Sequence, residues 1–287
     1  MDVTFQDLLL TWRWRPDVIA VLGISATAYV VGWQRLRRRD ARAAPGWRLA
    51  AYLGGIGALA LALLSAIDWL GSLLFFVHMI QHELLMMAAP PLLLLGDPLP
   101  VVLWALPANW RRSVAQFLTP GARLRRVLRG ITWMPVTWPL FVVALWGWHA
   151  PAAYEASLAS ELVHNVQHLS FFMAALLFWW PLISPAPRLH GHIHHAIRVV
   201  YALPAAFQSQ LLGLIFAFFT TRALYPHYEA VPRLWGFSVL QDQSTAGLLM
   251  MQVEGMIYLA VVLLQVAALL RREERITHQR EELGLEP

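Results

Sequence analysis

The 287-residue chain has no cysteine, which excludes disulfides, thiolate metal ligands, iron–sulfur clusters and thiol nucleophiles. Any metal would have to be held by histidine, carboxylate or methionine. Lysine is absent as well, so all 22 basic residues are arginine. Charge of either sign is scarce, at 14% of residues against 58% hydrophobic, and the mean hydropathy is +0.52. A soluble chain of this length needs more charge to cover its surface, so the composition is that of a membrane protein. The N-terminal MDVTFQDLLLTWRWRPD carries acids and Trp where a signal peptide has a basic region and a short apolar core, and it predicts no cleavable signal.

Apolar runs of about 17 to 25 residues suit helices that cross a bilayer. Seven occur, near 18–34, 48–67, 70–95, 133–150, 159–183, 198–221 and 243–270. This predicts an all-α, polytopic integral membrane protein, a seven-transmembrane-helix bundle that forms a single domain over 1–287. A tight Asp68-Trp69 corner leaves the second and third runs antiparallel, and the proline-broken segment 98–118 reads as interfacial. Pro90 and Pro91 read as a kink in the third run or as its terminator at the inner interface, because proline removes a backbone donor.

Short cytoplasmic loops hold excess basic charge. Eighteen arginines, among them Arg35, Arg48, Arg111, Arg129, Arg188, Arg198 and Arg271, fall on one side of the alternating spans, and only Arg13, Arg15, Arg222 and Arg233 on the other. The expected topology therefore has the N-terminus outside and the C-terminus cytoplasmic, with residues 271–287 as a cytoplasmic tail. The positive charge of +5 is thus an orientation signal rather than a nucleic-acid surface.

That topology sets the depth of the polar residues. At about 1.5 Å per residue, His78 in HMIQH lies roughly 12 Å below the outer surface, with His82 one turn deeper. His164 and His168 in HNVQH occupy the outer half of the fifth span, and His149 arrives at the same face at the end of the fourth. Asp242 stands at the mouth of the seventh span, with Glu254 about three turns further in. Two i, i+4 histidine pairs facing each other across a bundle are a recurrent way to build a metal site. A lone buried histidine more often only hydrogen-bonds a neighbouring helix; five at one depth argue against that, given the cost of polar groups in hydrocarbon.

Each motif has the form His-x-x-Gln-His, an inverted zincin pattern with Gln81 and Gln167 in place of the base. An amide cannot take a proton from water, so hydrolysis would need Glu83 or Asp242 to substitute. Neutral imidazoles in an undiscriminating site favour copper. Zinc, iron and haem stay open as alternatives, haem because imidazole is a usual axial ligand. Met79, Met86, Met87, Met250 and Met251 offer thioethers for Cu(I), although their helical spacing suits ordinary packing. Glu83 points about 100° away from His82, and the inner-loop HGHIHH at 190–195 reads as a solvated stretch.

Together, HMIQH followed by APPLLLLGDPL, then WGWHAPAAY, HNVQHLSFF with WWPL, and LQDQSTAGLLM resemble the CtaG family of cytochrome c oxidase assembly factors of the caa type, over roughly residues 50–270. The resemblance implies a multi-pass protein of the bacterial plasma (inner) membrane that is needed to make haem-copper oxidase, with a part in copper delivery or insertion. The family's paired histidines correspond to His78 with His82 and His164 with His168, its Trp-x-x-His-Pro-like element to His149, and its Asp-Gln-x-x-Ala-Gly element to Asp242, Gln243, Ala246 and Gly247. Met251 stands near where the family pattern places Trp.

The expectation is therefore a non-enzymatic assembly factor holding copper through His78, His82, His164 and His168, with His149 and Asp242 as a further ligand or support. Gln81, Gln167, Glu83, Gln243 and Glu254 are expected to back that site. Oxidase subunits, periplasmic or extracellular copper carriers and membrane lipid are the expected partners. The alternatives are a haem- or metal-dependent membrane redox protein or metalloenzyme, and a structural insertion factor without metal.

Overall fold

The computed structural model describes residues 11–282. The first ten residues of the stretch read for a signal, and the last five of the expected tail, lie outside the described residues. The described residues are helical and contain no strand. In chain order the helices are α1 (Pro16–Arg39), α2 (Gly46–Leu64), α3 (Ala66–Gly71), α4 (Phe75–Glu83), α5 (Ala89–Leu95), α6 (Pro98–Ala105), α7 (Ala108–Gln116), α8 (Arg123–Ile131), α9 (Met134–His149), α10 (Pro151–Ala159), α11 (Glu161–Ile183), α12 (His195–Leu214), α13 (His227–Ala230) and α14 (Val239–Glu282). Two five-residue π-helical segments interrupt them, Leu84–Ala88 and Ile215–Phe219.

Five helices are long and apolar enough to cross a membrane. Two bent pairs, α4–α5 with α6 (62°) and α8 with α9 (55°), raise the number to seven if each is one span. Large apolar side chains such as Ile24, Val143, Phe207 and Leu264 point outward. In water these would be unexplained, but in lipid they are the expected outer surface. The protein is a multi-pass membrane protein.

Pro90 and Pro91 do not end the third run as expected, because α5 continues to Leu95. The reason is local. Pro90 has no N–H for the Met86 carbonyl four residues back, and the Trp179 indole donates to that carbonyl at 3.0 Å instead. Just before it, the Ala89 N–H bonds to Leu84 O, five residues back, which closes the π segment. The substitution of an indole for a backbone donor also pins α5 to α11.

The most extensive helix pairing is α12 against α14. Glycine makes it possible: a Cβ at Gly247 would lie 2.5 Å from Gly213 O and 2.6 Å from Ala217 N. Small residues that let backbones meet are the usual basis of helix association in lipid. The main core joins Phe141, Leu145, Phe171, Phe178, Trp179 and Tyr258, at the centre of α9, α11 and α14.

The two ends of the bundle differ. One gathers arginine-rich connections, where Arg48 pairs with Asp97 at 3.2 Å and Arg125 donates to Arg188 O at 2.7 Å. The segment 98–118 forms α6 and α7 there, and α8 shows Leu124, Val127 and Ile131 to the outside beside its four arginines. Residues 271–282 continue α14 as helix. At the other end lie α3, α10, α13 and the starts of α4, α11 and α14, and here the histidines meet.

Candidate metal centre

His78 and His82 lie one turn apart on α4, with ring centroids 4.4 Å apart, and His164 and His168 repeat this on α11 at 4.0 Å. The helices bring the pairs together: His78 is 5.2 Å from His164 and His82 is 5.4 Å from His168. His149, the last residue of α9, joins at 5.8 Å from His82. All five predicted histidines therefore form one cluster.

Its donor atoms fall into two overlapping sets. Nitrogens of His78, His82 and His168 lie within 4.8 Å of one another, and so do atoms of Asp68, His164 and His168. His168 is common to both. His78 and His82 are 1% and 3% exposed, respectively, yet His78 Nε2, both nitrogens of His82, His164 Nε2 and His168 Nε2 have no protein partner. Buried nitrogens are normally hydrogen-bonded, and leaving one unsatisfied costs about 1–3 kcal/mol. Five in one cluster fit a ligand that the protein itself does not supply.

The surrounding bonds decide which nitrogens are free. The Leu145 carbonyl, which can only accept, lies 2.7 Å from His149 Nδ1, so that nitrogen carries the proton. The lone pair of His149 Nε2 then faces the Met79 sulfur at 3.4 Å. Two soft donors thus meet without a hydrogen between them. Burial pushes the Tyr228 phenol well above its ordinary range, so it keeps its proton, which goes to Gly71 O at 2.9 Å. The phenolic oxygen accepts from His78 Nδ1 at 3.4 Å, which leaves the Nε2 lone pair free. Such bonds to the far nitrogen orient metal-ligating histidines. Phe171 packs on His82 at 4.6 Å and Tyr154 on His78 at 5.2 Å.

Asp242 lies elsewhere. Its oxygens accept from Phe75 N and Phe76 N at 3.0 and 2.9 Å and pair with Arg233 at 2.8 Å. It caps the start of α4, where unsatisfied N–H groups favour an anion, and so positions His78 from a distance rather than joining the imidazoles. Gln243 accepts from Leu224 N and donates to Thr220 Oγ1, fastening the loop before α13. Glu83 is in neither donor set and lies near Glu254, both buried. Gln167 is fully buried with neither amide atom partnered. The 190–195 histidines are engaged separately, His190 with Thr132 and His195 with Gln265.

The carboxylate that reaches the cluster is Asp68, which sequence reasoning treated only as a corner. Gln81 Nε2 donates to it at 2.9 Å and Arg13 at 2.7 Å. The available signal was its position: an acid in the short link just ahead of His78, at the same end of the bundle. A polar cavity of about 210 Å³ lies against Arg13, Asp68, Glu161, His78 and His164.

Among known proteins, the family model for the cytochrome c oxidase caa3 assembly factor matches residues 27–272. The chain belongs to this family, Caa3_CtaG. Uncharacterized proteins of Mycobacterium bovis and Mycobacterium tuberculosis are each 25% identical over 287 residues, covering 95% of this chain and 41% of theirs. One from Mycobacterium leprae is 25% identical over 279 residues, covering 92% and 40%. The chain thus spans about two fifths of the length of the curated relatives it matches. No solved structure matches it. The Caa3_CtaG match includes every histidine of the cluster and extends upstream of the residues that carried the resemblance.

Proposed function

We propose that this Caa3_CtaG protein is a cytochrome c oxidase assembly factor that holds copper as cargo at His78, His82 and His168 and passes it to a haem-copper oxidase subunit. The observation that carries the reading is the set of five buried, partnerless imidazole nitrogens converging from two helices. Neutral imidazole nitrogens suit copper, since the Irving–Williams order ranks Cu(II) above divalent zinc or iron at nitrogen sites, and the Met79 thioether against His149 adds a soft donor of the kind that selects Cu(I). The rings pack against one another at 4.0–5.9 Å, which leaves no slot between them for a porphyrin, so a bare ion is preferred to haem.

We read the arginine-rich end as cytoplasmic, all seven spans as crossing the bacterial plasma membrane, and the histidine end as facing outward. Metal exchange with an external copper carrier then needs no transfer across the bilayer. An assembly role without catalysis is the reading that the Caa3_CtaG match favours, and it accords with amides, Gln81 and Gln167, at the position where the inverted zincin pattern has its base.

The test is Cu(I) stoichiometry of the purified protein in detergent, for wild type and His168→Leu, together with oxidase assembly in cells carrying each. One ion retained by wild type, none by the variant, and loss of active oxidase are expected. Normal oxidase from His168→Leu would sink the copper role and leave a structural insertion factor.

A further inference from the structure

We propose that Asp68, His164 and His168 form an outer cation position that loads before the His78–His82–His168 set, and that the Arg13 guanidinium is its built-in, displaceable occupant. The proposal rests on the metal-binding reading above.

The two sets share His168. An ion bound at the outer one can therefore move inward by exchanging Asp68 and His164 for His78 and His82 without leaving protein. The surroundings give this a direction. The 210 Å³ cavity touches Asp68, His164 and His78 and carries a second acid, Glu161, whereas His82 is walled by Phe171. His164 Nε2 and His168 Nε2 are both buried without a partner, so the outer position has two free nitrogens beside the carboxylate.

The bonds to Asp68 differ in permanence. Gln81 is fully buried and also donates to Ala62 O at 2.7 Å, so it stays. The Arg13 side chain is 48% exposed, and its backbone N–H is fixed on Leu64 O at 2.9 Å, so its guanidinium can swing out without moving the chain. The Asp68 side chain is 7% exposed but the Arg13 end of the pair is half in water, so the guanidinium can be rehydrated as an incoming cation takes its place. Arg13 thus keeps the carboxylate compensated when no ion is present and yields to one that His164 and His168 also hold.

The experiment follows Cu(I) uptake from a coloured chelator complex by stopped flow, using wild type, Arg13→Gln, Asp68→Asn and the double variant. Arg13→Gln is expected to load several-fold faster and Asp68→Asn several-fold slower. The double variant should match Asp68→Asn, because Arg13 acts through Asp68. All four should reach the same final stoichiometry, since the inner set is untouched. Asp68→Glu, which retains the carboxylate, should recover part of the rate and so separates lost charge from misfolding. Equal rates for wild type and Asp68→Asn, or an Arg13→Gln effect of the same size with and without Asp68, would overturn the proposal while leaving the copper reading intact. Absence of Cu(I) from wild type would overturn the copper reading itself.

Discussion

The Gln81 amide donates at once to Asp68 Oδ1, at 2.9 Å, and to Ala62 O, at 2.7 Å. The glutamine of HMIQH therefore joins the outer end of α2, the short α3 and the histidine helix α4. An amide at this position does what a carboxylate could not, since both partners are acceptors. Gln81→Leu removes both bonds and leaves two acceptors unpaired in the interior, for a loss of about 1–3 kcal/mol. Gln81→Glu should cost more, because it places an anion against Asp68. Denaturation in micelles checks the order, and a Glu variant as stable as wild type would contradict the hydrogen-bond assignment.

Asp242→Ala separates a cap from a ligand. The substitution strands two N–H groups of α4 and removes the ion partner of Arg233; breaking a buried pair in this way costs about 3–5 kcal/mol, with the lower end expected because Arg233 is 23% exposed and keeps Phe237 O, Leu73 O and Tyr228 O as acceptors. Copper bound per folded molecule should be unchanged. A variant that folds like wild type but holds no copper would return Asp242 to the ligand set.

What was legible follows from how local each signal is. Four residues of separation on a helix place His78 over His82 whatever the rest of the chain does, and apolar length with arginine placement brings both pairs and His149 to one end. Asp68 and Asp242 were beyond reach because a single acid near a helix end has the same sequence appearance as a cap or a ligand. Only the neighbouring helix decides: Phe75 and Phe76 claim Asp242, whereas Gln81 turns Asp68 toward His164. The continuation of α5 past Pro90 depended on Trp179, 89 positions on in the chain, which no local rule anticipates.

Gly247→Ala tests the contact between α12 and α14. The added methyl would meet backbone on α12 and its π segment, at Gly213 O and Ala217 N, rather than a side chain that could rotate away. The helices must separate, at a cost of about 1–3 kcal/mol for overpacking. Because neither α12 nor α14 carries a histidine of the cluster, copper bound per folded molecule should stay unchanged while the unfolding midpoint falls. A normal midpoint would mean that α12 and α14 are less tightly apposed than the backbone distances require.

His82→Leu should pull stability in opposite directions with and without metal. His82 is 3% exposed, packs on Phe171, and has neither nitrogen bonded. In the metal-free protein the imidazole carries a desolvation penalty with no return, so an apolar side chain of similar size should stabilise by about 1 kcal/mol. With Cu(I) at 100 times its dissociation constant, wild type gains about 2.7 kcal/mol by mass action. The variant, lacking one ligand of the inner set, gains far less. The two unfolding curves should therefore exchange order on adding Cu(I), with the variant melting higher without metal and wild type higher with it. A purely structural histidine gives a different result: His82→Leu would be the less stable protein under both conditions, and Cu(I) would move neither curve.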